Sequence, residues 1–159
     1  MANALVDDVF VLEDDKKEYL KNLPPQCELE VEGVKILLVH GSPRRNNEDI
    51  LPNQPLDKIE EIFENVDADL IFCGHTHLPC GYQTESKKTV VNVGSVGRPM
   101  TKEPKACYAI AELKDFAFTI EHRFVDYDRE TAAMLVKARG FEGSEILADM
   151  ILNPTQRHA

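Results

Sequence analysis

The stretch Leu70-Ile71-Phe72-Cys73-Gly74-His75-Thr76-His77 constrains this chain more than any other. Its apolar start predicts a short buried strand, Gly74 permits a sharp turn off the strand end, and two histidines follow one residue apart. In extended backbone, residues i and i+2 point the same way, so His75 and His77 are expected to converge on one point, where a helix would separate them. Paired imidazoles at a strand end are a partial metal site that needs further ligands from elsewhere in the chain.

A second strand supplies a candidate. Val34-Lys35-Ile36-Leu37-Leu38-Val39 is a nearly continuous apolar run, as in a central strand covered on both faces, and it ends in His40-Gly41-Ser42-Pro43. Alone, His40 would read as a packing residue. Between the two strands, Leu56, Ile59, Ile62, Phe63 and Val66 recur at the helical period behind Pro55, so the segment predicts a βαβ crossover. The acids of that helix, Asp57, Glu60, Glu61 and Glu64, belong on its solvent face. In open α/β sheets functional groups gather at the carboxyl ends of parallel strands. The expected fold class is therefore α/β, with His40, His75 and His77 near one another.

The remaining segments extend this outline. Residues 1–12 hold an apolar patch, Val9 to Leu12, without a clear period, and Asp14 to Leu23 predicts a charged helix stopped by Pro24-Pro25. Glu28 to Glu32 alternates like a half-exposed strand before a turn at Gly33. Residues 79–88 predict a hairpin leading into the strand Thr89 to Val93. That strand runs into Gly94-Ser95-Val96-Gly97-Arg98-Pro99, which in isolation reads as a plain turn; beside a metal site its backbone N–H groups and guanidinium can approach an anion and wall the pocket. A hairpin of Ala106 to Leu113 and Phe116 to Val125 turns at Lys114-Asp115, with Phe116, Phe118, Ile120, His122 and Phe124 in phase on one face. Asp128 caps a helix that ends at Gly140, and a last helix spans Ser144 to Leu152. His158 carries no signal.

Composition narrows the function classes. A length of 159 residues fits one domain, residues 1–159, with a sizeable core. The net charge of -10 argues against a nucleic-acid surface, which needs a basic footprint. No signal peptide or apolar stretch of membrane-spanning length is read, and Cys27, Cys73, Cys80 and Cys107 lack Cys-x-x-Cys spacing, so reduced thiols and a cytoplasmic location are expected. Cys73 and Cys80 flank the histidine loop and stay open as soft ligands.

Taken together, His40-Gly41-Ser42-Pro43, Gly74-His75-Thr76-His77 and Asn92-Val93-Gly94-Ser95-Val96-Gly97 resemble the calcineurin-like metallophosphoesterases, in particular the small bacterial and archaeal branch, with Val93 departing from that branch's usual proline. The resemblance implies mixed β-sheets flanked by helices, part of an αββα sandwich, and hydrolysis of phosphomono- or phosphodiesters by a metal-activated hydroxide. It implies His40 and His75 as ligands of one metal and His77 of the other, with Ser95 and Arg98 lining the substrate site. The family's complete site is dinuclear and takes Mn, Ni, Zn or Fe.

The family's Asp-x-His, Gly-Asp and Gly-Asn-His motifs are missing. None of the eight glycines precedes Asp or Asn, and no aspartate has a histidine two places later. The resemblance thus implies an N-terminally truncated domain that carries the C-terminal half of the site. Two close cations without an anionic bridge repel strongly, so at most one metal is expected here. The partners that follow are a phosphoester substrate, no membrane, and a second copy of the chain or a missing N-terminal half docked on a bared face. The alternative function is a non-catalytic scaffold or an inactive fragment.

Overall fold

The parallel pair that the histidine motifs require is the centre of the molecule. The structure, a computed structural model, describes residues 2–154. In chain order its elements are α1 (Ala2–Val11), α2 (Asp14–Lys21), β1 (Gln26–Val31), β2 (Val34–Val39), α3 (Leu56–Phe63), β3 (Leu70–Cys73), β4 (Cys80–Gln83), β5 (Thr89–Asn92), β6 (Ala106–Lys114), β7 (Ala117–Val125), α4 (Arg129–Ala138) and α5 (Ser144–Leu152). A five-stranded sheet runs β1-β2-β3-β5-β4, and β6 and β7 form a separate hairpin. β2, β3 and β5 are parallel, while β1 and β4 pair antiparallel at the two edges. This mixed sheet flanked by helices is the α/β class expected from the sequence.

Alternation along the parallel strands divides the core in two. Leu37, Ile71, Cys73 and Val90 point to the face covered by Ile59, Ile62 and Phe63 of α3. Val34, Ile36, Leu70 and Val91 point to the opposite face, where Ala109, Ala111, Phe118 and Ile120 of the β6–β7 hairpin pack. β2 is thus covered on both faces, although Lys35 remains exposed near its start. A smaller cluster of Ala133, Ala148 and Ile151 joins α4 to α5.

Four expectations are corrected. Residues 2–11 form a helix; its large apolar residues stay exposed, Leu5 at 67% and Phe10 at 81%, so no buried stripe gave them a helical period. The hairpin turns at Asp115 and Phe116, both with positive φ, and Phe116 leaves the phenylalanine face to lie 81% exposed over Gly33. Phe124, assigned to the same packed face, is also exposed. On α3, Leu56 is exposed despite its place in the helical period, while Glu61, on the solvent face as expected, pairs with Arg44 at 3.2 Å. His158 lies outside the described residues.

Candidate metal centre

The register of β2 against β3 brings the first two histidines together. Ile36 pairs with Leu70 and Leu38 with Phe72, and the ladder continues past both strand ends, where Gly74 N–H donates to His40 O at 2.8 Å. The side chain of the next residue therefore falls beside His40. His75 Nδ1 lies 3.3 Å from His40 Nε2, with the rings edge to face at 5.2 Å between centroids.

The backbone that achieves this is not extended. His75 and His77 both have left-handed φ, 62° and 61°, and Thr76 N–H donates to Gly74 O at 2.7 Å, closing a γ-turn around His75. Gly74 has no positive φ, so the histidines themselves make the turn that the sequence assigned to glycine. Such backbone costs on the order of 1–3 kcal/mol per residue and persists only where the surroundings fix it.

Those surroundings are a polar network under the loop. Asn92, fully buried at the end of β5, donates through Nδ2 to Gly74 O at 2.8 Å, Thr76 Oγ1 at 2.9 Å and Ile50 O at 3.1 Å, while its Oδ1 accepts from Gly94 N–H at 3.1 Å. Thr76, also fully buried, donates to Ile50 O at 3.4 Å. On the hairpin, His122 Nε2–H donates to Asn92 O at 2.8 Å, so this half-buried residue ties the hairpin to β5 by a hydrogen bond as well as by packing.

His77 is treated differently from its neighbours. Its Nδ1–H donates to Arg98 O at 2.7 Å, which leaves the lone pair on Nε2. Burial, outweighing the raising effect of the bond to the Arg98 carbonyl, lowers its pKa below the usual value and favours the neutral, ligating form. The Arg98 side chain reaches Met150 of α5, Nη2 to Sδ 3.3 Å. Ser95 Oγ accepts from Arg98 N–H at 3.0 Å and thereby shapes the loop.

The loop after β2 adds residues that the sequence did not single out. Glu48 accepts from Ser42 Oγ and from Arg44, Nη2 to Oε1 2.6 Å, and Gly41 lets the loop close, because a Cβ there would stand 2.6 Å from Asn46 O. Asp49 follows, with Oδ1 3.5 Å from His75 Nε2. The thiols of Cys73 and Cys80 are pushed up to about 12 and about 11 by burial, which disfavours the thiolate needed to ligate.

Two nitrogens bound tetrahedrally to one cation at about 2.0–2.1 Å stand about 3.3–3.4 Å apart. The separation of His40 Nε2 from His75 Nδ1 fits that edge. Among the described residues, no group of three or more His, Cys, Asp or Glu side chains is gathered closely enough to hold a cation, so the structure forms a pair of donors and not a trio.

Imidazoles presented by adjacent parallel strands of an α/β sheet define the class: an α/β protein with a strand-end nitrogen-donor site. Residues 6–116 match the calcineurin-like phosphoesterase superfamily domain, and the chain belongs to that superfamily. An uncharacterized protein of Methanocaldococcus jannaschii is 31% identical over 138 residues, covering 77% of this chain and 54% of the relative. A hypothetical protein of Pyrococcus horikoshii is similar with a TM-score of 0.76 at 22% identity, covering 95% of this chain and 65% of that one. A metallophosphoesterase of Sphaerobacter thermophilus is similar with a TM-score of 0.70 at 22% identity, covering 90% and 62%. The chain thus spans about half the length of the curated relative and under two thirds of the two solved structures. These two likenesses carry the fold. The family match starts within α1 and takes in the histidine motifs and β6.

Proposed function

We propose that this chain is a metal-dependent phosphoesterase domain carrying part of a hydrolytic site, with His40 and His75 holding one divalent cation. The observation that carries this reading is the 3.3 Å approach of His40 Nε2 and His75 Nδ1 at the ends of two parallel strands. His77 would offer Nε2, since its other nitrogen is engaged by the Arg98 carbonyl. A divalent cation bound there supplies Lewis acidity, lowering the pKa of water and offsetting charge on phosphate oxygens. The donor set suits Zn or Ni among Mn, Ni, Zn and Fe, because imidazole is its dominant ligand. A single cation is proposed, since among the described residues no cluster of three or more His, Cys, Asp or Glu side chains supplies the anionic bridge that would offset the repulsion of a second.

The chain's own residues would orient the ester. The Gly94 to Arg98 loop borders His77, and Ser95, half-buried there, is proposed as a wall of the substrate site together with Arg98. The absence of the Asp-x-His, Gly-Asp and Gly-Asn-His motifs supports reading the chain as carrying only part of the family's site. The expected result is a Mn²⁺- or Zn²⁺-dependent rate on bis(4-nitrophenyl) phosphate that disappears in His75→Ala; no rate in the full-length protein with any of the four metals would overturn the assignment.

A second reading, an interaction module, is favoured by the exposed apolar side chains of α1, Leu5, Val9 and Phe10 among them. A second copy of the chain, or a segment supplying the remaining motifs, would cover them. Sedimentation at several concentrations with and without metal separates the readings: association without activity favours the module, and a monomer with activity favours the enzyme.

A further inference from the structure

His75 is gripped from both sides of its ring. On one side Nδ1 faces His40 Nε2 at 3.3 Å, and on the other Nε2 faces Asp49 Oδ1 at 3.5 Å. Both partners of the second contact are partly shielded, His75 at 27% and Asp49 at 35% exposed, so water does not fully screen it.

Asp49 is also held firmly in place. The residue before it, Glu48, is clamped by Ser42 Oγ, by Arg44 Nε at 3.1 Å and Nη2 at 2.6 Å, and by Arg45 Nη2 at 3.1 Å. The residue after it, Ile50, is fully buried, and its carbonyl accepts from Asn92 Nδ2 at 3.1 Å. The backbone of Asp49 is thus anchored on both sides, which keeps its carboxylate within reach of the imidazole.

We infer that Asp49 is a positioning residue for His75: its carboxylate keeps the ring proton on Nε2, so that Nδ1 presents its lone pair on the side facing His40. A neutral imidazole has one donor and one acceptor nitrogen, and the carboxylate charge beside Nε2, at 3.5 Å beyond ordinary hydrogen-bond length, favours the proton on that nitrogen. Carboxylates behind ligating histidines raise ligand basicity in the same way, and removing one lowers metal affinity by about 10–100-fold. This role rests on the reading that His40 and His75 share a cation. The ring's tautomer, by contrast, is a property of the metal-free chain.

The test is therefore made in two arms on the full chain. In the first, long-range ¹H–¹⁵N NMR of the metal-free protein reads the His75 tautomer: Nε2–H is expected in the wild type and a mixture with Nδ1–H in Asp49→Ala. In the second, calorimetric titration with Zn²⁺ is expected to show about a tenfold weaker site in Asp49→Ala and no further loss when Asp49→Ala is added to His75→Ala. Should Asp49→Ala fail to fold, the near-isosteric Asp49→Asn gives the same two readouts, with smaller shifts in the same direction. An Nδ1–H tautomer in the wild type, or a tautomer and affinity unchanged in the folded variants, overturns the inference. A tautomer that shifts in a wild-type background that binds no Zn²⁺ upholds the positioning of the ring and defeats the metal reading instead.

Discussion

Glu48 illustrates how one buried charge can organise a loop that the sequence shows only as polar. With 8% of its side chain exposed, it accepts hydrogen bonds from Arg44, Ser42 and Arg45. The Arg44 bond chiefly, outweighing the opposing cost of burial, holds its carboxyl down from 4.5 to about 2. A carboxyl whose folded pKa lies below its unfolded value contributes stability that is complete above the unfolded pKa and is lost as pH falls toward the folded one. Glu48→Gln is therefore expected to destabilise the chain by about 2 kcal/mol at pH 7, in the range of a charged hydrogen bond. In urea unfolding its deficit relative to the wild type should shrink between pH 4.5 and pH 2; a deficit independent of pH would contradict the assignment. At this scale the sequence is least informative. Nothing in the string Arg44 to Asp49 announces that Glu48 turns inward while Asn46 and Asn47 stay exposed.

The elements were far more legible than the contacts between their ends. α3 and the three parallel strands follow from apolar period and continuous apolar runs, because in each the burial pattern is written residue by residue, while α2, with no buried residue, follows from its charged run and the prolines that stop it. α1 escaped that logic, since its large apolar residues are not buried. The histidine loop escaped it too. Histidine has no strong preference for left-handed φ, so the turn at His75 and His77 is imposed by its supports, not by local propensity. Asn92 is the chief support, and its place inside an apolar strand was visible without its role being so. Asn92→Ala would leave Ile50 O and Gly74 O without this donor in a buried setting. It is expected to cost about 3 kcal/mol and to speed amide exchange at Gly94, whose N–H loses its acceptor. Exchange there at the wild-type rate would show that the loop holds itself.

For the whole molecule, sequence and structure agree on a mixed α/β fold; that α3 covers one face of the sheet and the β6–β7 hairpin the other comes from the structure. Among the described residues no helix is long and apolar enough to cross a membrane. The histidine motifs pointed to one sheet edge because parallel neighbours in register share it, and the structure brings His40 and His75 together there. The sequence pointed to a trio, and the structure forms a pair with His77 turned to a carbonyl, because the loop's left-handed backbone gives its two histidines different partners. The central claim, that this pair grips one divalent cation, is tested most directly by calorimetric titration of the chain with Zn²⁺. One ion per chain is expected, with affinity falling at least tenfold in His40→Ala and in His75→Ala while the fold persists. Absence of saturable binding, or binding that both variants retain undiminished, would contradict it.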